Sequence, residues 1–304
     1  MVKPQTKTSD ILVFDRDLVK HNRERCAKNF NKYDFLFSHV KQILEDRLYD
    51  INREFDTGLQ IGSRGCVNTK THKKIDTLFT CDLTKAPLSA EVENYIQASE
   101  EFLPIKPKSL DLIISNLNLH TVNDLPGALL QIKQSLKDDG LFIASMIGGE
   151  TLHELRTIMT EVELKMHGGI SPRISPFADK QQMGDLLQRA EFALPVVDSE
   201  IITVTYDNVF KLFRDLRGMG ENNAIIERSK DFTSRSFFMD VAKAYHEQFA
   251  EADGRIVATF EIIFLLGWAP HESQQKPLRP GSAEHRLADV LNTTEIKTGD
   301  KAKP

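Results

Sequence analysis

Two groups of residues in this chain have the types and spacing of a binding or catalytic site. The first starts at Gly62 and Gly65, in the turn Gly62-Ser63-Arg64-Gly65 that follows the apolar tip Gly58-Leu59-Gln60-Ile61. It continues at Asp82, 82 − 62 = 20 positions later. Glycines in such a turn let backbone approach a ligand closely, and a carboxylate about twenty residues on reaches the hydroxyls of a ribose. A plain β-turn followed by a surface Asp uses the same letters, so the spacing alone leaves both readings open. The full Gly-x-Gly-x-x-Gly fingerprint is absent, as is any Gly-Lys-Ser/Thr phosphate loop.

The second group closes the apolar run LDLIISNLNLH and reappears much later in DLRGMGEN. His120 follows the run where a general base or a substrate-orienting group would stand, and a structural histidine fits that position equally well. Asn116 and Asn118 offer amides to a ligand or to a turn. Asp215 and Glu221 flank Arg217, Gly218 and Gly220. A carboxylate facing a peptide arginine makes paired hydrogen bonds, so either acid suits a guanidinium substrate; an internal Asp–Arg pair at a helix end is the alternative. Adjacent His-Glu pairs occur at His153, His246 and His271, without the spacing of two histidines and a carboxylate around a metal. The sequence supports no metal site.

These residues need a scaffold, and the stretch from Leu110 to Gly149 supplies its centre. A short apolar strand, a helix with Leu125, Ala128, Leu129, Ile132 and Leu136 on one face, and the strand GLFIASMIGG form a βαβ unit. Parallel strands joined by a right-handed crossover open their tails at one edge, where open α/β sheets bind ligands. Before it, a short helix is expected from the glycine turn to Lys74, a strand over Ile75–Thr80 ending at Asp82, and a brief strand over Tyr95–Ala98. After it, Thr151 is a candidate helix cap, a helix spans Asp179–Ala190, and strands span Pro195–Tyr206 and Arg255–Trp268. Asp124 reads as the cap of the central helix.

The expected organisation is an N-terminal helical region over 1–54, an α/β domain over 55–283, and a polar, disordered tail over 284–304. The charged stretch FDRDLVKHNRERCAKNF reads chiefly as a solvated helix face, with a ligand-covering role as the minority reading. Residues 207–254 form a helical insertion that mixes Phe and Arg densely and far exceeds a hairpin connection, which fits a lid or a partner-reading element. A chain of 304 residues, 40% hydrophobic and 27% charged, with net charge −5, is ordinary for one or two globular domains and argues against a protein dominated by nucleic-acid phosphates. Cys26, Cys66 and Cys81 are too few and irregular for a disulfide framework, which points to a reducing compartment. With no run of 18 apolar residues and no apolar core in the first fifteen, the expectation is a chain neither exported nor membrane-spanning.

The strand pattern, glycine turn and following acid resemble the class I S-adenosylmethionine-dependent methyltransferases, a Rossmann-like αβα sandwich. The strings EEFLPI, ISPFAD, DLRGMGENN, DGRIVATFEIIFLLGW and PHESQQKPLRPGSA, with the long central run from Ser115 to Arg156, are similar to a family of respiratory complex I assembly factors in that superfamily and its alphaproteobacterial relatives. The similarity covers roughly residues 12–283. It implies S-adenosylmethionine at Gly62, Gly65, Asp82, Ser99 and Asn116, and catalytic groups at His120, Asp215 and Glu221. The implied partner is the iron–sulfur subunit of complex I, hydroxylated or methylated at an arginine, in the bacterial cytoplasm or mitochondrial matrix, with peripheral membrane association open. A non-catalytic assembly chaperone and a malonyl-carrier-protein O-methyltransferase of biotin synthesis remain as alternatives. The chain departs from the superfamily at Gln60 and Ser99, where acids are usual, and in its sparse glycine turn. Each change thins the cofactor contacts.

Overall fold

The computed structural model describes residues 12–68, 74–89, 92–275, 282 and 286–294. Expectations for the first ten residues, for residues 69–73 and for most of the tail lie outside the described residues. Contact clustering separates a unit ending at Pro270 from one beginning at His271. The second unit contains a turn at His271–Gln274 and the short helix Leu287–Val290.

In the first unit, helices α1 (Arg16–Cys26) and α2 (Phe35–Asp50) flank a 3₁₀ segment and precede β1 (Phe55–Ile61), β2 (Ile75–Asp82) and β3 (Asn94–Gln97). Then come β4 (Leu110–Asn116), α3 (Leu125–Ser135), β5 (Leu136–Ile147), α4 (His153–His167) and α5 (Lys180–Arg189). The last elements are β6 (Ala193–Tyr206), α6 (Val209–Met219), α7 (Arg235–Phe249) and β7 (Ile256–Trp268). The seven strands form one sheet in the order β3-β2-β1-β4-β5-β7-β6, with β1 to β5 parallel and β7 antiparallel to both neighbours. This is a Rossmann-like αβα sandwich, and the helical insertion separates β6 from β7 as expected.

The strand sequences explain the burial. β4 is apolar on both faces, sending Leu112 and Ile114 into one core and Leu110 and Ile113 into the other. The first core packs α2, α4 and α7 through Val40, Leu44, Leu155 and Phe237; the second packs α3 and α5 through Leu129, Ile132, Met183 and Leu187. Asp124 caps α3 by accepting from the Gly127 amide at 2.9 Å, as its position before the apolar run requires.

Several local expectations need correction. No helix follows the glycine turn over residues 62–68. Thr151 does not cap α4: its hydroxyl exchanges hydrogen bonds with the Glu261 backbone on β7, and Leu152 takes the capping position with a left-handed φ of 54°. Gly140 lies inside β5, which starts four residues earlier than its apolar run. The charged stretch before α2 is solvated on one face only: Asp17, His21 and Arg25 are exposed, but α1 buries Val19, Asn22, Arg23 and Cys26. Val19, Arg23 and Cys26 share the i, i+4, i+7 face that an amphipathic helix turns inward, so Arg23 stands in an apolar position.

Candidate functional site

All parallel strands end at one edge, and the site forms there from two connected ion networks. At the β1 end, Gly62 turns the chain with φ of +92°. This places the amide and hydroxyl of Ser63 each 2.8 Å from Asp82 Oδ2 at the end of β2. The other oxygen, Oδ1, accepts from Arg23 at 2.9 Å, and the same guanidinium nitrogen reaches Glu100 Oε1 at 3.0 Å. A second Arg23 nitrogen lies 3.3 Å from Thr121 Oγ1. Arg16 pairs with the far oxygen of Glu100 and donates to the Thr121 carbonyl at 2.8 Å. Burial is the largest single influence and raises the carboxyls of Asp82 and Glu100, but Arg23 together with the Ser63 hydrogen bonds on Asp82, and with Arg16 on Glu100, outweighs it and holds both below the usual range.

The neighbouring residues close this edge tightly. Asn118 donates to Glu100, and its side chain fills the space beside Gly62: a Cβ there would lie 2.6 Å from the Asn118 amide carbon. Gly65, with φ of +63°, is matched in the same way by the Asn116 amide nitrogen at 2.6 Å. Asn116 donates to the carbonyls of Phe37 and Gly65, both at 3.0 Å, and accepts from Ser145, so its amide is fully engaged within the fold. Gln60, where an acid was expected, accepts from the Val67 amide at 2.9 Å and steadies the turn without a charge. Ser99 lies in the loop after β3 and accepts from the Glu101 amide at 3.2 Å.

The second network joins the glycine turn to the insertion. Arg64, 1% exposed, donates to Glu221 Oε1 at 2.5 Å, to the Met219 carbonyl at 3.0 Å and to the Leu117 carbonyl at 3.3 Å, with its guanidinium 4.6 Å from the Phe37 ring centre. His120 Nε2 lies 3.1 Å from Glu221 Oε2. Desolvation opposes the Glu221 charge, yet the interactions with His120 and Arg64 keep its carboxyl well below the ordinary range. Glu221 also lines a cavity of about 310 Å³ whose walls include Phe37, Phe177, Phe213, Phe238 and Phe260.

The structure therefore brings Gly62, Gly65, Asp82, Asn116, His120 and Glu221 to one edge. Asp215 is not among the residues lining the cavity; half-buried beside Tyr206, its carboxyl is pushed up by burial. Arg23, Arg64 and Glu100 are the residues that sequence reasoning missed. The inward stripe Val19–Arg23–Cys26 was the available signal for the first. No comparable signal marks Arg64 or Glu100. Among the described residues no group of three or more His, Cys, Asp and Glu side chains is placed to hold a metal ion. No described helix is long and apolar enough to cross a membrane.

The fold and its strand-end residues define a class I methyltransferase-like protein. A family model described as a methyltransferase domain matches residues 59–144. The YcgJ protein of Bacillus subtilis superimposes with a TM-score of 0.53 at 15% identity, covering 77% of this chain and 99% of that one. Within that class the sequence relatives are more specific. The mitochondrial arginine-hydroxylase NDUFAF5 of Danio rerio is 39% identical over 295 residues, spanning 94% of this chain and 92% of the relative. A malonyl-[acyl-carrier protein] O-methyltransferase of Xylella fastidiosa is 38% identical over 196 residues, spanning 64% and 63%. The chain belongs to the arginine-hydroxylase NDUFAF5 family.

Proposed function

We propose that this chain acts in the assembly of respiratory complex I as an arginine-directed modifier of the quinone-site iron–sulfur subunit, with S-adenosylmethionine held at the strand ends. The observation that carries the reading is the cavity under the insertion. Its wall is mostly aromatic and aliphatic, and its one lining carboxylate is Glu221. Aromatic faces and a carboxylate are what a guanidinium binds, through stacking and charge-assisted hydrogen bonds. The family's arginine specificity, taken from the names of the relatives, agrees with that chemistry.

In this reading an entering arginine packs its stem against Phe213, Phe238 and Phe260 and brings its head to Glu221, which Arg64 and His120 keep ionised and oriented. His120, bonded to the same carboxylate, is the group positioned to hold or pass a proton there. Asp215 acts from the lid side rather than inside the cavity. For the cofactor, the residue types fit: a glycine turn of positive φ, a ribose-reaching acid at Asp82, Ser99 beyond β3, and Gly65 and Asn116 behind the turn. S-Adenosylmethionine, when bound, supplies an adenosyl anchor and an activated methyl group. Because Asp82 is engaged by Arg23 in this conformation, its occupation by a nucleoside requires exchange. The setting is the bacterial cytoplasm or the mitochondrial matrix; the Danio rerio relative is named as mitochondrial.

The test is the mass of the iron–sulfur subunit purified from strains with and without this chain. The expected result is one arginine that carries an added oxygen or methyl only when the chain is present. If the subunit has the same mass in both strains while complex I still fails to assemble, the chain is a chaperone and the modifier reading is wrong.

A further inference from the structure

We propose that Arg23 is an intramolecular occupant of the nucleoside site, and that S-adenosylmethionine binds only when helix α1 lifts Arg23 off Asp82 and Glu100. The proposal rests on the reading that this edge binds S-adenosylmethionine.

Three observations lead to it. First, the ribose-reaching acid and the glycine turn are engaged by the chain itself. Asp82 Oδ2 accepts from Ser63, Asp82 Oδ1 accepts from Arg23, and the space over Gly62 holds Asn118, which is tied to Glu100 and through it to Arg23. One side chain thus links all the parts that a ribose and an adenine would have to reach. Second, the guanidinium and its partners are enclosed: Arg23 is 1% exposed and Asp82 and Glu100 are 0% exposed. None of the main cavities is lined by Gly62, Asp82 or Glu100. Vacating the site therefore requires movement of the helix, not of a rotamer.

Third, the closed arrangement is incompletely satisfied. Arg16 Nε, Asn22 Nδ2, Arg23 Nε and Asn118 Oδ1 are all buried without a hydrogen-bond partner. Orphaned buried donors and acceptors are rare in folded proteins and are costly. Three of the four lie on α1 and leave with the helix, where water can meet them; the fourth, Asn118 Oδ1, stays at the strand ends as an acceptor without a donor, which an exocyclic amine or a ribose hydroxyl of a nucleoside supplies.

Such a movement has to break the moorings at both ends of α1. α1 is held at its start by the Asp15 amide bonding the Ala224 carbonyl at 2.8 Å, and by Asn123, whose side chain accepts from the amides of Val13 and Phe14. At its end, the sulfur of Cys26 lies 3.0 Å from where a Cβ of Gly220 would stand. Residues 220–224 belong to the segment that carries Glu221, so the strap is moored to the element that lines the cavity.

The experiment is calorimetric titration of S-adenosylmethionine into the full chain and into Arg23→Ala, together with hydrogen exchange of the wild-type chain at saturating ligand. The expected results are at least tenfold tighter binding by the variant and faster exchange of the α1 amides when the wild-type chain is loaded. Equal affinity of the two proteins, with α1 amides unchanged or slowed, overturns the proposal and leaves cofactor binding standing. Absence of binding by either protein overturns both. Should Arg23→Ala fail to fold, the wild-type exchange result alone decides: α1 that stays protected with ligand bound means that Arg23 does not have to leave.

Discussion

Replacing Arg64 by alanine probes the ion pair that fastens the glycine turn to the insertion. At the observed 2.5 Å separation from Glu221, an effective dielectric constant of about 20 gives a gross attraction of roughly 6–7 kcal/mol. Desolvation of two charges offsets much of this, but removing Arg64 leaves the buried Glu221 with only its His120 contact, at a cost of about 3–5 kcal/mol. The substitution also strips donors from the Met219 and Leu117 carbonyls and empties the space over Phe37. For a domain of this size such a loss lowers the melting temperature by roughly 6–20 °C. Urea unfolding followed through Trp268, the chain's one tryptophan, supplies the free energy directly. In a cycle with Glu221→Ala, the double variant is expected to lose about 2 kcal/mol less than the sum of the single losses. Additivity within about 0.5 kcal/mol would mean that the two groups do not act as a pair, and the account of the second network would be refuted.

Three other outcomes follow from the same geometry. Asp82, Glu100 and Glu221 all have carboxyls held below their ordinary values, so the unfolded chain takes up protons first as the solution is acidified. Their contribution is therefore complete above the ordinary carboxylate range of about 4 and is lost as pH falls through the lower folded values; urea midpoints between neutral pH and pH 3 should fall, and Glu221→Gln should flatten that fall. Gly218→Ala places a Cβ 2.2 Å from the Tyr33 ring, and is expected to destabilise by about 1–3 kcal/mol despite the gain in helix propensity; melting of Gly218→Ala with and without Tyr33→Ala checks this, since the second change should restore stability. Glu221→Gln should weaken capture of the iron–sulfur subunit while moving S-adenosylmethionine affinity by less than about twofold, under 0.5 kcal/mol, whereas Asp215→Asn should act only on capture through the lid; pull-downs read beside melting curves separate these effects from loss of fold.

The central βαβ unit and the edge at which its strands open were legible because the apolar runs are short, bounded by turn residues and alternate with one strong helical stripe. Asp82 and His120 were legible as strand-end residues for the same reason. What escaped was the use of charge inside the fold. Arg23 belongs by type to a solvated face, and only its phase with Val19 and Cys26 betrays its burial. Arg64 sits within a turn and has no periodicity to reveal it; its partner Glu221 lies 157 residues away. Thr151 precedes an apolar helix as a cap would, but pairing with Glu261 on a strand more than a hundred residues later outweighed the local preference. Long-range partners of polar residues leave no mark on local pattern, and the candidate site is built largely from them.

The mooring of α1 also has a consequence for the order in which the molecule can be made. Its attachments join Phe14 to Ile225 and the Asp15 amide to Ala224, so α1 waits for a segment that is made much later. The gap from Phe14 to Ile225 is 225 − 14 = 211 residues, which at ordinary elongation rates corresponds to about 10–40 s of synthesis. For the last 225 − 100 = 125 residues of that gap, about 6–25 s at the same rates, Asp82 and Glu100 have been made while the backbone that anchors Arg23 against them has not. A nascent chain therefore passes through a stage in which the strand ends are unguarded, and the seat can close only once Ile225 has been made.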